Sequence, residues 1–232
     1  MIEVRLENAQ VAFSTRDGGV SEGPYRSLNL GLLSGDDPTC VVENRVRLAG
    51  AVGLAMERVV VGSQVHGAEL KEWDESSLER RSNELDRVDA HATNEAGLGL
   101  LVLVADCVPV ALATRERVAM LHCGWRGLAA GIVERALATF AEPPSAVIGP
   151  GIGGCCYQVG AELIAAFDDL GGALRGSMLD LKRVARAKLE AGGARVVEDV
   201  GLCTSCRADL FFSHRRDGGV TGRQCGLVWL AA

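Results

Sequence analysis

Apolar and polar positions along the chain follow two different periods. Short apolar runs, β-branched or leucine-rich, occupy residues 58–66 (RVVVGSQVH), 98–106 (LGLLVLVAD), 108–114 (VPVALAT) and 117–123 (RVAMLHC). Runs of this length and composition predict strands. SAVIG, ARVVEDV and CGLVWL, at 145–149, 194–200 and 225–230, predict three more. Helical spacing appears between them. In DDPTCVVENRVRLAGAVG (36–53), Asp37 suits an N-cap and Pro38 the first helical position, and Val42, Val46, Ala49 and Val52 then recur on one face. A second helix after MLHCGWRG (120–127) sets Leu128, Ile132, Val133, Ala136, Leu137 and Phe140 on one side. A third, DLKRVARAKLEAGG (180–193), has Asp180 as its cap, Leu181, Val184, Ala185 and Leu189 inward, and a glycine pair where a left-handed C-terminal residue is easily adopted.

No Pro-, Ser- or Gly-rich linker divides these elements, so a single domain over residues 1–232 is expected. The polar stretch at 74–89 reads as an exposed loop or a short solvated helix. RDGGV occurs at both 16–20 and 216–220. Asp-Gly-Gly is a turn signal, and the echo is read as two turns rather than a duplication.

Composition narrows the classes. With 48% apolar and 23% charged residues the chain suits a globular protein with one sizeable core. A net charge of −6 carries no nucleic-acid footprint. The N-terminal MIEVRLENAQVAF has charges at positions 3, 5 and 7 and no apolar signal region, and no apolar run is long enough to span a membrane. The expected location is the cytoplasm.

Eight cysteines are many for such a chain, and free thiols, metal ligands or catalysis are the readings to weigh. Cys203 and Cys206 form one CxxC. A structural zinc site usually draws on two such pairs, so this one alone is not read as a metal site. Adjacent Cys155 and Cys156, in GPGIGGCCYQVG, are read as packing and loop structure. More pointed are His66, Cys107 and His122, each at or near the end of an apolar strand, beside glycine or aspartate. Two imidazoles and a thiolate make a zinc set with a fourth position open for water or substrate. Zinc held this way can lower the pKa of its water to about 7. Two other readings stay open from spacing alone: buried packing, or Cys107 as a nucleophile with His122 as its base. Cys123 neighbours His122 on a strand and points to the opposite face, so it is read as packing.

Arginines add a second theme. Arg16 precedes Gly18–Gly19, Arg126 lies between Gly124 and Gly127, and Arg45 rides the first helix. Arginine binds phosphate or carboxylate through paired donors, and glycine lets the backbone approach an anion. Amides at the start of the helix near Gly124 would add to such a site. Together with the strand-end cluster, these residues favour a small anionic or phosphate-bearing substrate.

At this point the chain resembles a known family. FSTRDGGVSEGPYRSLNLG, QVHG, DAHATNEAG, VLVADCVPV, HCGWRGLAAGIVE, IGPGIGGCCYQVG and FFSHRRDGGVTGRQCGLVWL occur in the order and spacing of the YfiH/YlmD-like laccase-domain proteins, over about residues 10 to 230. Members are described variously as polyphenol oxidases, purine nucleoside phosphorylases and a peptidoglycan editing factor. The resemblance implies an α+β fold, a four-layer αββα sandwich with mixed sheets. It implies a catalytic zinc held by His66 of QVHG, Cys107 of ADC and His122 of HxGWRG. It also implies an enzyme that splits adenosine, inosine and methylthioadenosine with phosphate and deaminates adenosine. The expected partners are therefore a purine nucleoside and phosphate, with neither nucleic acid nor membrane. Cys123, His91 and His214 depart from the family pattern, and Cys123 or His91 could alter the choice of metal.

On that reading, phosphate attacks C1′ as the purine leaves through an oxocarbenium-like transition state, and positioning with charge stabilisation suffices. Arg16, Arg45 and Arg126 are the cationic candidates. Deamination needs a carboxylate to move protons, for which Asp89 and Asp106 are nearest in the motifs, although Asp106 can instead orient a histidine. Gln64, two residues before His66, is a candidate for hydrogen bonding to substrate or ligand. Three alternatives remain: an amidase editing peptidoglycan precursors, a copper phenol oxidase, and a metal-stabilised binding module. Four histidines are few for several coppers.

Overall fold

The strands form two stacked sheets, and the helices cover their outer faces. The structure, a computed structural model, describes residues 1–79, 86–167, 172–195 and 197–231. Among these, β1 (Ile2–Leu6), β2 (Ala9–Phe13), β3 (Val59–Val61), β6 (Gly99–Val104) and β13 (Gln224–Leu230) form one sheet in the order β1-β2-β13-β6-β3. The second holds β4 (Leu70–Trp73), β5 (Ala90–Thr93), β7 (Val108–Ala113), β8 (Val118–Cys123), β9 (Ser145–Ile148) and β12 (Val197–Asp199) in the order β12-β9-β7-β8-β5-β4. Both are mixed, because β3–β6, β4–β5 and β9–β12 pair parallel and the rest antiparallel. A small hairpin, β10 (Leu174–Arg175) with β11 (Met178–Leu179), stands apart.

Three apolar layers hold the stack. Phe13, Val102, Val104, Met120, Val147 and Val228 fill the space between the sheets. On the far side of the first sheet, α1 (Pro38–Ala51) packs Leu48 and Ala49 against Val59, Leu101 and Leu227. The far side of the second is covered by α3 (Trp125–Ala129), α4 (Ile132–Leu137), α5 (Ala161–Phe167) and α6 (Leu181–Ala191), with Leu128, Val133, Leu163 and Val184 meeting Val110, Leu121 and Ile148. The layers run αββα, as the resemblance implies. β7 and β8 are buried at every position. A strand covered on both faces carries a continuous apolar run instead of alternating, which is how these two read in the sequence.

Several expectations change on contact with the fold. α1 begins as expected, with Asp37 accepting from the Thr39 amide at 2.8 Å and Pro38 in the first turn. Its inward face is Val41, Asn44, Leu48 and Ala49, whereas Val42 and Val46 are 54% and 51% exposed. Asn44 decides the rotation. Its amide donates to Ser21 Oγ, Ser27 O and Asn29 O and accepts from the Val20 amide, so a buried polar residue braces the loop below the helix. The helix after residue 124 is two helices, because Gly131 adopts φ +86° between α3 and α4. α6 keeps its expected face and its Asp180 cap, with Gly193 at φ +86° beyond its end.

The strand expected over 58–66 stops at Val61, and the residues that follow turn away. Within the polar stretch 74–89, α2 (Glu75–Glu79) is a short helix, and residues 80–85 lie outside the described residues. The two RDGGV segments are turns, with Gly18 at φ +100° and Gly218 and Gly219 at +63° and +92°. No helix among the described residues is long and apolar enough to cross a membrane.

Candidate metal centre

His122 is the last residue but one of β8, where residue parity sets it on the inter-sheet side with Met120. Cys123 falls on the helix side among Leu121 and Leu128. Burial pushes the Cys123 thiol up, so it stays a packed, neutral group turned away from His122. His122 is 3% exposed, and its Nδ1 lies 2.7 Å from Asp89 Oδ1. Asp89 sits just before β5, fully buried, and gathers the loop that carries His66. Its Oδ1 accepts from the His66 amide at 2.9 Å, and its Oδ2 accepts from the Val65 and Gly67 amides at 3.1 and 2.7 Å. Three successive N–H groups converge on one carboxylate only if the backbone curls, and His66 accordingly has φ +61°. A left-handed residue with a side chain costs about 1–2 kcal/mol. The three amide bonds offset it. Burial works against charge on Asp89, but the His122 bond and the amides outweigh it and hold the carboxyl below its ordinary range.

Cys107 enters from a third segment, the bend just before β7, directly after Asp106 at φ +94°. The ligand atoms of His66, Cys107 and His122 all lie within 4.8 Å of one another. The two imidazoles meet edge-on, with centroids 4.8 Å apart. Burial opposes a thiolate at Cys107, yet His122 and His66 outweigh it and bring the thiol well below its usual range. His122 is likewise raised, against burial, by the Cys107 charge and the Asp89 bond. A β-carbon on Gly124 would stand 3.1 Å from Cys107 Sγ and 3.2 Å from His66 Cδ2. Glycine there keeps the cradle open.

The donor set suits a metal ion. Two imidazole nitrogens and a sulfur converge from three segments, and Asp89 takes up Nδ1 of His122, leaving Nε2 available to a metal. His91 and Cys123 do not join it. His91 is fully buried and accepts from Trp73 Nε1 at 3.0 Å.

The remaining candidates divide. Asp106 orients no histidine: its Oδ1 accepts from Thr204 Oγ1 at 2.6 Å and its Oδ2 from the Arg215 amide at 2.7 Å, so it braces two loops beside Cys107. Gln64 is engaged with a neighbouring strand, donating to Leu103 O and accepting from the Leu103 amide, both at 2.7 Å. Arg16 donates to Arg26 O and Ala208 O and lies over the Phe212 ring. It borders an open cleft of about 890 Å³ with Asp17, Arg26 and Asp209, none of which belongs to the metal cluster. Arg45 donates to Leu30 O beneath α1. Arg126 alone among the three arginines is presented near the cluster, exposed and stacked on Trp125 at 4.3 Å.

Three further groups escape a reading by strands and helices. Arg215 stacks on Tyr157 at 4.9 Å and donates to Gln158 O at 2.8 Å. Burial and the Cys107 charge raise the Tyr157 phenol, with Arg215 and Arg126 pulling the other way, so Tyr157, both arginines and Cys107 lie within electrostatic reach. Burial lowers the Arg223 guanidinium, and the charges of Cys107 and Asp106 oppose that shift, so Arg223 too lies within their electrostatic reach. All three occupy irregular segments with no period to mark them, although each falls inside one of the ordered motifs.

The chain is similar to known proteins over nearly its whole length. Residues 10–231 match the family described as multi-copper polyphenol oxidoreductase laccase. The purine nucleoside phosphorylase YfiH of Shigella flexneri is 38% identical, covering 94% of this chain and 92% of its own. A purine nucleoside phosphorylase of Streptomyces coelicolor is 40% identical, covering 97% of each. The crystal structure of YlmD from Geobacillus stearothermophilus superposes with a TM-score of 0.90 at 35% identity, over 98% of this chain and 93% of that one.

Proposed function

The chain belongs to the multi-copper polyphenol oxidoreductase laccase family, and from that premise we propose that it is a zinc-dependent purine nucleoside phosphorylase that also deaminates adenosine. Adenosine, inosine and methylthioadenosine are its proposed phosphorolysis substrates. The observation that carries the reading is the convergence of His66, Cys107 and His122 within 4.8 Å, with Tyr157 within electrostatic reach of Cys107, Arg126 and Arg215. Relatives aligned over more than nine-tenths of the chain bear the phosphorylase name. Among the described residues the histidine-containing ligand group has three members, a number suited to one ion, and His91 is engaged with Trp73, which favours one-metal chemistry over a multi-copper oxidase.

His66, Cys107 and His122 would hold the ion, which when bound supplies Lewis acidity to the reacting centre. The rest is work for the chain's own groups. Arg126 and Arg215 hold phosphate by paired donors and set one of its oxygens against C1′ of the ribose. That oxygen bonds to C1′ as the bond to N9 breaks, and the electron pair leaves with the purine. Tyr157, kept protonated, offers its hydroxyl hydrogen to the bound nucleoside. Asp89 Oδ1 keeps a proton on His122 Nδ1 throughout, so the imidazole retains one orientation. For deamination, a water supplies the oxygen at C6 and ammonia leaves.

Product analysis of the purified protein with adenosine, with and without phosphate, tests the reading beside Cys107→Ala. Phosphate-dependent adenine, absent in the variant, is the expected result, and inosine without phosphate reports the deaminase branch. Absence of both from zinc-loaded protein overturns it and shifts the assignment to the amide-hydrolysing alternative, which the close Cys107–His122 pair would then serve.

A further inference from the structure

Two cysteine pairs that are far apart in sequence come together on the surface. Cys155 and Cys156 lie in the turn after β9, Cys203 and Cys206 in the loop after β12, and the four sulfurs all lie within 4.8 Å of one another. We propose that they form a second metal site, a structural tetrathiolate holding one zinc ion, separate from the centre at His66, Cys107 and His122.

The spacing fits one ion. Tetrahedral zinc with bonds of about 2.3 Å sets its sulfurs about 3.8 Å apart. Cys206 Sγ lies 3.5 Å from Cys155 Sγ and 3.4 Å from Cys156 Sγ. A disulfide needs about 2.05 Å. An iron–sulfur cluster, with several metals and bridging sulfides, would hold its four cysteines wider than this.

The backbone is shaped for the purpose. Adjacent residues on a strand point to opposite faces. Here the Cys156 and Tyr157 amides both donate to Gly153 O, at 3.0 and 3.1 Å, and this curl turns both thiols toward Cys206. The Gly153 amide donates to Cys203 Sγ at 3.2 Å, and the Cys206 amide is aimed at the same sulfur. Such N–H groups stabilise a thiolate. A β-carbon at Gly153 would stand 3.2 Å from Cys155 Sγ. Packing does not explain the cluster, because Cys155 and Cys206 are exposed and none of the four belongs to an apolar core.

An ion here would act as a clamp. Gly151 bridges Cys203, and the Thr204 amide donates to Gly151 O at 3.1 Å. Thr204 Oγ1 in turn holds Asp106, and the Ile152 amide donates to Asp106 O at 2.8 Å. The two clamped loops therefore grip the residue before Cys107 from both sides. Binding needs no oxidant: each thiol still protonated gives up its proton as its sulfur bonds to the ion, and up to four protons leave.

Metal content and cobalt substitution test the proposal on the full-length protein. Wild type purified under reducing conditions should carry one zinc more than Cys155→Ser/Cys206→Ser, and Cys107→Ala should keep that ion. Cobalt(II) in wild type and in Cys107→Ala should give the intense sulfur-to-metal bands of a tetrathiolate, lost in the double variant, whose melting temperature should fall. Should that variant fail to fold, an anomalous difference map at the zinc edge decides on wild-type crystals alone. A peak amid the four sulfurs supports the site. No peak there, an iron-edge peak instead, or equal zinc in wild type and a folded double variant overturns it.

Discussion

Asparagine in place of Asp89 changes one atom and sets two donors against another donor. The carboxylate takes the His66 amide and His122 Nδ1 on one oxygen, and the Val65 and Gly67 amides on the other. A carboxamide keeps one oxygen and turns N–H groups toward the second pair. If its nitrogen faces Val65 and Gly67, two part-buried amides lose their acceptor, at about 1–3 kcal/mol each. Taking about 4 kcal/mol in all, the melting temperature of a chain this size drops by roughly 10 °C. If the nitrogen faces His122 instead, the imidazole must move its proton to Nε2 and so surrenders the lone pair that would bind metal. Either way zinc affinity falls, by about 10- to 100-fold for a lost partner of this kind. Competition against a chromophoric chelator measures the affinity, and melting of metal-free protein measures the stability. An Asp89→Asn protein that binds zinc as tightly as wild type and melts at the same temperature would refute the hub role given to Asp89.

Other consequences can be checked separately. Gly124→Ala pushes a methyl group to 3.1 Å from Cys107 Sγ, so metal affinity and kcat/KM should fall about tenfold while strain costs about 1–3 kcal/mol. Arg126→Ala and Arg215→Ala should raise KM for phosphate in initial-rate assays, leaving zinc content unchanged. His91 should govern acid stability: burial lowers its pKa to about 4, against 6.5 when exposed. Between those values the unfolded chain takes up a proton that the folded chain refuses, so stability falls as pH drops through this window. The loss should approach about 3 kcal/mol. Denaturant titrations from pH 7 to 4 on wild type and His91→Leu should show the slope flattened in the variant; an unchanged slope would assign the effect elsewhere.

How much of this was readable in the sequence depended on whether a residue's task followed a period. β7 and β8 announce themselves because burial on both faces demands unbroken apolar runs. β4 (LKEW) and β5 (AHAT) do not, being four residues long and carrying Lys71, Glu72 and His91. The buried face of α1 departs from the apolar spacing because Asn44, a polar residue, occupies the buried row and serves the loop below it. Glycine and strand ends marked the three metal-ligand candidates, yet their convergence rests on Asp89, whose four bonds join residues with no common spacing. The cysteine cluster was invisible for the same reason: neither Cys155–Cys156 nor Cys203–Cys206 suffices alone, and only the fold brings them together. Arg215 and Tyr157 sit in turns, where no pattern distinguishes a binding group from a surface charge.

The most direct test of the central claim is inosine phosphorolysis by protein stripped of metal and titrated with zinc, run in parallel on His66→Ala, Cys107→Ala and His122→Ala. Phosphate-dependent hypoxanthine that returns as zinc is restored to wild type, and in none of the three variants, is the predicted outcome. Equal turnover by the stripped protein, or by any folded variant without zinc at this centre, would contradict it.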